Sequence, residues 1–247
     1  MPFDSYFAGL TRGRARARAA FGVELAWIFS IVRQWDDPAL TRSQADYTTA
    51  VAIAGKDDGV VALGLAAAEA GAPPEPFAPW FERARAAGLH SAPHAGETAG
   101  PASIWGALRA LGAERLAHGV RAVEDPALVD YLAAQRIPLD LAPTSNIRLG
   151  VYPDYAAHPL PRLHAAGVVV TVNSDDPPLF GTTLNDEVAL LADPFGLEVA
   201  AIDAILLNGV RHSFLPLERR QTLEAACAAD LAALKAVHLA RPPVRQP

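Results

Sequence analysis

The sequence predicts an α/β fold in which parallel strands are wrapped by helices. Short apolar or β-branched runs recur six times, and helix-length segments stand between them. The runs are continuous rather than alternating in polarity, which is the pattern of strands buried on both faces.

The first strand candidate is "ELAWIFSIV" (24–32), followed by the helical "SQADYTTAVAIAG" (43–55). Next, "VVALGL" (60–65) leads to "PFAPWFERARAAG" (76–88), and "HSAPHA" (90–95) leads to "SIWGALRALGA" (103–113). "RLAHGV" (115–120) precedes "PALVDYLAAQR" (126–136), "PLDLAP" (138–143) precedes "PLPRLHAAG" (159–167), and "GVVVTVNS" (167–174) is the sixth strand. Asp125 can cap a helix whose first residue is Pro126, where the ring's fixed φ suits the helix and its missing N–H is no loss. Gly88, Gly112 and Gly167 stand where helices hand over to strands, the place for a left-handed residue. After the sixth strand come three helical stretches, 184–196, 197–215 and 218–240, with no strand between them.

No linker or close repeat divides the chain, so residues 1–247 read as one domain, with "RPPVRQP" (241–247) as a disordered tail. An open doubly wound sheet and a closed barrel both satisfy this order. A closed barrel takes eight strand–helix units, and six are present.

Composition narrows the function classes. Apolar residues make up 51% of the chain and charged residues 19%, which supplies a core and carries no signature of disorder. The net charge of −6 argues against nucleic acid as a partner, and the arginines of "TRGRARARAAFG" spread around a helix as a solvated face. Cys227 is the single cysteine, so neither a disulfide framework nor a cysteine zinc site can form within one chain. No apolar run reaches membrane-spanning length, and the first residues lack the basic-then-apolar order of a signal peptide. A cytoplasmic setting without a membrane partner is expected; the sequence does not set the oligomeric state.

In parallel α/β folds chemistry gathers beyond the carboxyl ends of the strands. The third run ends in "HAGE" with His94 and Glu97, the fourth in His118-Gly119, the fifth in "PTSN" with Ser145 and Asn146, and the sixth in "NSDDPP" with Asp175 and Asp176. Each has an ordinary reading: a core histidine, a first-turn helix carboxylate, a strand-end cap, an Asx-type turn. Together they make a polar rim that a purely structural sheet has reason to avoid. Imidazole and carboxylate are zinc ligands, and a catalytic zinc lowers the pKa of bound water to about 7, which suits hydrolysis. Glu97 fits a proton shuttle, His118 a group that holds or polarises hydroxide, and Asp175 and Asp176 can divide between metal and substrate.

Competing motifs are missing. No G-x-S-x-G elbow precedes a helix, "AGKDDG" lacks the glycine spacing of a phosphate loop, and one cysteine excludes the P-C-x-x-C of cytidine-deaminase-type enzymes. His90, His158, His164, His212 and His238 lie in ordinary strand or helix contexts and read as structural.

"HAGE", "AHGV", "PTSNIRLG", "VNSDDPPLFGTTLNDE" and the later "NGVRHSFL", in this order, closely resemble the adenosine deaminase family of zinc aminohydrolases, from about "GVELAWIFSIVR" onward. The resemblance implies a (β/α)₈ barrel and one Zn²⁺ per full-length chain. It further implies that His94 and Asp175 are metal ligands, Glu97 the acid/base that protonates the purine ring nitrogen, His118 the residue that orients the zinc hydroxide, and Asp176 a hydrogen-bond partner of the purine imidazole edge. The implied reaction turns adenosine, a small-molecule purine nucleoside, into inosine and ammonia. Aminodeoxyfutalosine deamination is the alternative, with adenine third.

Two departures accompany it. Where the family shows a glycine that meets the purine through its backbone, "LGLAAAE" places Ala67, with Glu69 shortly after. The family's first strand carries a His-x-His pair, and no His-x-His occurs in this sequence. The resemblance therefore implies that strands one and two are absent, either because Met1 is an internal residue of a longer protein or because the chain is a non-catalytic remnant short of two metal ligands.

Overall fold

The computed structural model describes residues 3–33 and 37–239. The chain divides into two compact units, Met1–Asp140 and Leu141–Pro247.

In the first unit, α1 (Phe3–Phe21) precedes β1 (Trp27–Val32), α2 (Pro38–Ala54), β2 (Val60–Ala66), α3 (Ala78–Ala86), β3 (His90–Ser91), β4 (His94–Ala95), α4 (Pro101–Ala110), β5 (Leu116–His118), α5 (Pro126–Gln135) and β6 (Leu139–Leu141). All the registered strand pairs are parallel: β1 with β2, β2 with β3, β4 with β5 and β5 with β6. β2 is buried along almost its whole length, and Leu63, Leu65, Phe81, Leu116 and Leu139 are fully buried. Burial of each such side chain contributes about 1.5–3 kcal/mol. β1 is an edge strand of its sheet, and Ile28 and Val32 on it are exposed.

Two of the boundaries that differ from the sequence reading have a plain cause in the hydrogen bonding. The run at 90–95 is two short strands, because Ala92 still donates its N–H to the Leu63 carbonyl of β2 while Pro93, which has none to donate, gives its carbonyl to the Ala117 N–H of β5. α2 begins five residues earlier than expected, because Asp37 accepts from the Ala39 and Leu40 N–H groups ahead of Pro38. This is the device that Asp125 uses for α5, where the expected cap is present. Gly88, Gly112 and Gly167 all have positive φ, as their places at helix ends require.

In the second unit, α6 (Pro143–Arg148) and α7 (Leu160–Ala165) precede β7 (Val170–Val172), and α8 (Pro177–Phe180), α9 (Leu184–Ala192), α10 (Val199–Arg211) and α11 (Leu217–His238) follow it. "PTSN" is the first turn of α6 rather than a strand tip, since β6 stops at Leu141 and Pro143 opens the helix. The three terminal helices follow without a strand, as expected. The Asn208 amide of α10 donates to the Val170 carbonyl of β7 (3.1 Å), and α10 is tied to α11 by the Lys235–Asp203 and Arg211–Glu224 pairs. No helix among the described residues is long and apolar enough to cross a membrane. The tail expected at 241–247 lies outside the described residues.

Candidate active site

In the first unit the tips of β4 and β5 carry His94, Glu97 and His118. The strands are locked together here, with Gly119 N–H donating to the Ala95 carbonyl and Arg121 N–H to the Gly96 carbonyl, both at 2.9 Å. The rings of His94 and His118 lie 5.2 Å apart, and His118 Nε2 is 3.6 Å from Glu97 Oε1. His118 is buried, and Glu97 is only 18% exposed. Two imidazoles and a carboxylate therefore converge in the first unit, half-buried at His94 and Glu97 and buried at His118. Glu97 is not a first-turn helix carboxylate, because α4 starts four residues later with Gly100 as its cap.

In the second unit Ser145, 1% exposed, donates its hydroxyl to Asp175 Oδ2 at 2.7 Å. Asp175 and Asp176 are exposed, and Asp176 heads α8 without using its side chain as a cap.

Backbone geometry marks the same positions. Among the described residues, Ala67, His118, Arg136 and Asp175 are the non-glycine residues with positive φ, at 71°, 64°, 54° and 53°. Arg136 is the left-handed cap that ends α5. The other three follow or end strands at the positions the sequence reading selected, and each holds a conformation that costs an L-residue about 1–3 kcal/mol. Ala67 stands where the resemblance expects glycine, and it keeps the glycine-like backbone.

Three buried charged residues, two in the first unit and one in the second, were not selected from sequence. Glu69, 4% exposed, accepts hydrogen bonds from the backbone of the "HAGE" turn. Burial opposes its ionisation, but the N–H groups of Ala99, Gly96 and Thr98 and the Ser103 hydroxyl outweigh it and hold the carboxyl below its usual range. Arg33, 3% exposed, donates through Nη2 to the His94 carbonyl at 2.6 Å. Burial pulls its guanidinium below the ordinary value, against the opposing charges of Glu69 and Glu97. In the second unit the fully buried Glu187 accepts from Thr144 N–H (3.1 Å) and Thr182 Oγ1 (2.6 Å), which anchors the start of α6 just before Ser145. A charged residue at a strand end or on a helix is the only sequence signal these leave.

Two of the remaining histidines, His90 and His158, have structural partners. His90 pairs with Glu114 at 2.8 Å. His158 is buried, its Nδ1 accepting from the Leu160 N–H (3.2 Å), so Nε2 carries the ring proton and donates to Asn146 Oδ1 (3.1 Å). Burial lowers its pKa from 6.5 to about 4. As pH falls the unfolded chain therefore binds this proton first. The stabilisation is complete above about pH 6.5 and is lost as pH falls from there through about 4. We expect this single group to remove about 3 kcal/mol of unfolding free energy across that window. Urea unfolding at a series of pH values checks it against His158→Gln, which should flatten that part of the profile.

The family model described as adenosine deaminase matches residues 1–229. An aminodeoxyfutalosine deaminase of Streptomyces coelicolor is 42% identical over 223 residues, covering 87% of this chain and 57% of the relative. An adenine deaminase of Chelativorans sp. is 38% identical over 222 residues, covering 90% of this chain and 67% of the relative. Among solved structures, an amidohydrolase from Burkholderia ambifaria with bound Zn superposes with a TM-score of 0.87 at 27% identity, over 98% of this chain and 66% of that one. The chain thus spans less than three fifths of the length of the Streptomyces relative, and it shares the α/β fold, with parallel sheets, of these barrel deaminases.

Proposed function

Because this chain belongs to the adenosine deaminase family, we propose that it contributes the core of a site for hydrolytic deamination of a 6-aminopurine nucleoside, adenosine being the substrate the family description names. The observation that carries this reading is the grouping of half-buried His94 and Glu97 with buried His118 at the tips of two adjacent parallel strands.

His94 and Asp175 are the residues we assign to a zinc ion, and nitrogen and carboxylate oxygen are donors that zinc accepts. The strained backbone at Asp175 and its Ser145 hydrogen bond support the assignment, since ligands are commonly held in place by a second partner. When bound, the metal supplies a water that ionises near neutral pH.

The chain's own residues do the rest. Glu97 moves a proton to the purine ring nitrogen beside the carbon that water attacks, and the low exposure of its carboxylate beside His118 supports that role. His118, 3.6 Å from Glu97, orients the attacking water. Asp176 takes the imidazole edge of the purine, and the Ala67 backbone N–H meets the ring. Water adds to the amino-bearing carbon, the C–N bond breaks with proton return to nitrogen, and ammonia leaves.

A second reading, with aminodeoxyfutalosine as substrate, is favoured by the 42% identity to the Streptomyces deaminase. The test is ammonia release from adenosine, aminodeoxyfutalosine and adenine. It is run with zinc on the 247-residue chain and on the same chain joined to any coding sequence preceding it in frame, since a catalytic zinc takes about three protein ligands and two are assigned. We expect one of the two nucleosides to be deaminated. Zinc-loaded protein inert toward all three purines in both forms refutes the reading.

A further inference from the structure

Glu69 lies three residues beyond β2, and its carboxylate is filled by donors from one short segment. Oε1 accepts from Gly96 N–H and Ser103 Oγ, both at 2.5 Å. Oε2 accepts from the N–H groups of Glu97 (2.9 Å), Thr98 (2.9 Å) and Ala99 (3.0 Å). Four consecutive backbone donors can meet one carboxylate only if the chain curls around it, and such a curl needs a left-handed residue. Gly96 provides it, with φ of 77°, and a Cβ there would lie 2.3 Å from Ile104 Cδ1. The carbonyl of His94, on the other side of the turn, is held by buried Arg33, whose Nε and Nη1 have no hydrogen-bond partner among the described residues. The turn that carries Glu97 is therefore gripped at its N–H groups by a buried anion and at its entry by a buried cation.

A cap for α4 alone would need less. Capping residues satisfy one or two donors at a helix start, whereas here the bonded N–H groups run from Gly96 to Ala99, before the helix begins at Pro101. They bracket the proton-carrying residue itself.

We propose that Glu69 is the positioning residue of this site: by binding the N–H groups of Gly96 through Ala99 it sets where the Glu97 carboxylate stands relative to His118. The catalytic part of this inference rests on the deaminase reading above; the anchoring part does not.

The test compares wild type with Glu69→Ala and Glu69→Gln. Glu69→Gln keeps the side-chain volume and one acceptor oxygen, and it carries the test should Glu69→Ala fail to fold. In the 247-residue chain, amide exchange at 96–99 should rise by at least about 100-fold while the β2 and α5 amides keep their protection. In whichever form deaminates, kcat should fall about 100-fold, the cost of a displacement of about 1 Å, with KM and zinc content changed less than about threefold. Unchanged exchange at 96–99, or protection lost uniformly along the chain, overturns the proposal. So does selective loosening with kcat intact, or a parallel loss of zinc, KM and kcat, since either would mean a structural brace only. If wild type turns over no purine, the deaminase reading falls by itself, and exchange alone then decides whether Glu69 is the anchor.

Discussion

Glu97→Gln is expected to keep zinc and purine binding and to lose at least about 100-fold in kcat, within the range of about 10²–10⁴ that general acid–base groups contribute. Glutamine has nearly the same shape, and the Glu97 backbone N–H would still be held by Glu69, so the turn stays in place. What disappears is the carboxyl group that would carry the proton. The side chain would also still lie near His118 Nε2, 3.6 Å away in the native chain, so the loss should fall on the chemical step and not on assembly of the site. Steady-state kinetics paired with metal analysis of the same sample reads both quantities. Turnover within a few-fold of wild type would remove Glu97 from proton transfer, and loss of zinc together with kcat would make it a ligand instead.

Asp175→Ala is expected to act on the other quantity, lowering zinc affinity by well over 100-fold, because it deletes an assigned ligand rather than a partner of one. Its neighbour gives the internal comparison. The Ser145 hydroxyl orients the carboxylate through the 2.7 Å hydrogen bond, so Ser145→Ala should weaken zinc by the smaller factor of about 10–100 that such supporting groups are worth. Competition of the metal against a chelator of known affinity ranks wild type, Ser145→Ala and Asp175→Ala. Equal affinities for wild type and Asp175→Ala would release that residue from the metal and leave its left-handed backbone without a functional account.

The paired glutamates bear on how the site would tolerate change. Glu69 in the first unit and Glu187 in the second are both buried; Glu69 accepts several backbone N–H groups, and Glu187 one, from the segment that carries a candidate site residue. A buried anion that loses its donors pays a desolvation cost. Substitutions that move either segment should therefore cost stability as well as placement.

What the sequence determined by itself was local or periodic. Alternation of apolar runs with helical segments set the α/β class, Asp125-Pro126 set the start of α5, and the glycines at 88, 112 and 167 set three helix ends, because each depends on the conformational preferences of a few adjacent residues. The polar residues at strand tips were legible for a related reason: a charged group directly after a buried strand stands out against its own neighbours. Only the tertiary structure decided the break at Pro93, the helical start at "PTSN", the left-handed backbone at Ala67, His118 and Asp175, and the grip of Glu69 on a turn 27–30 residues away. The break at Pro93 and the grip of Glu69 arise from hydrogen bonds between segments remote in sequence, and such pairings impose no period and no composition on either partner.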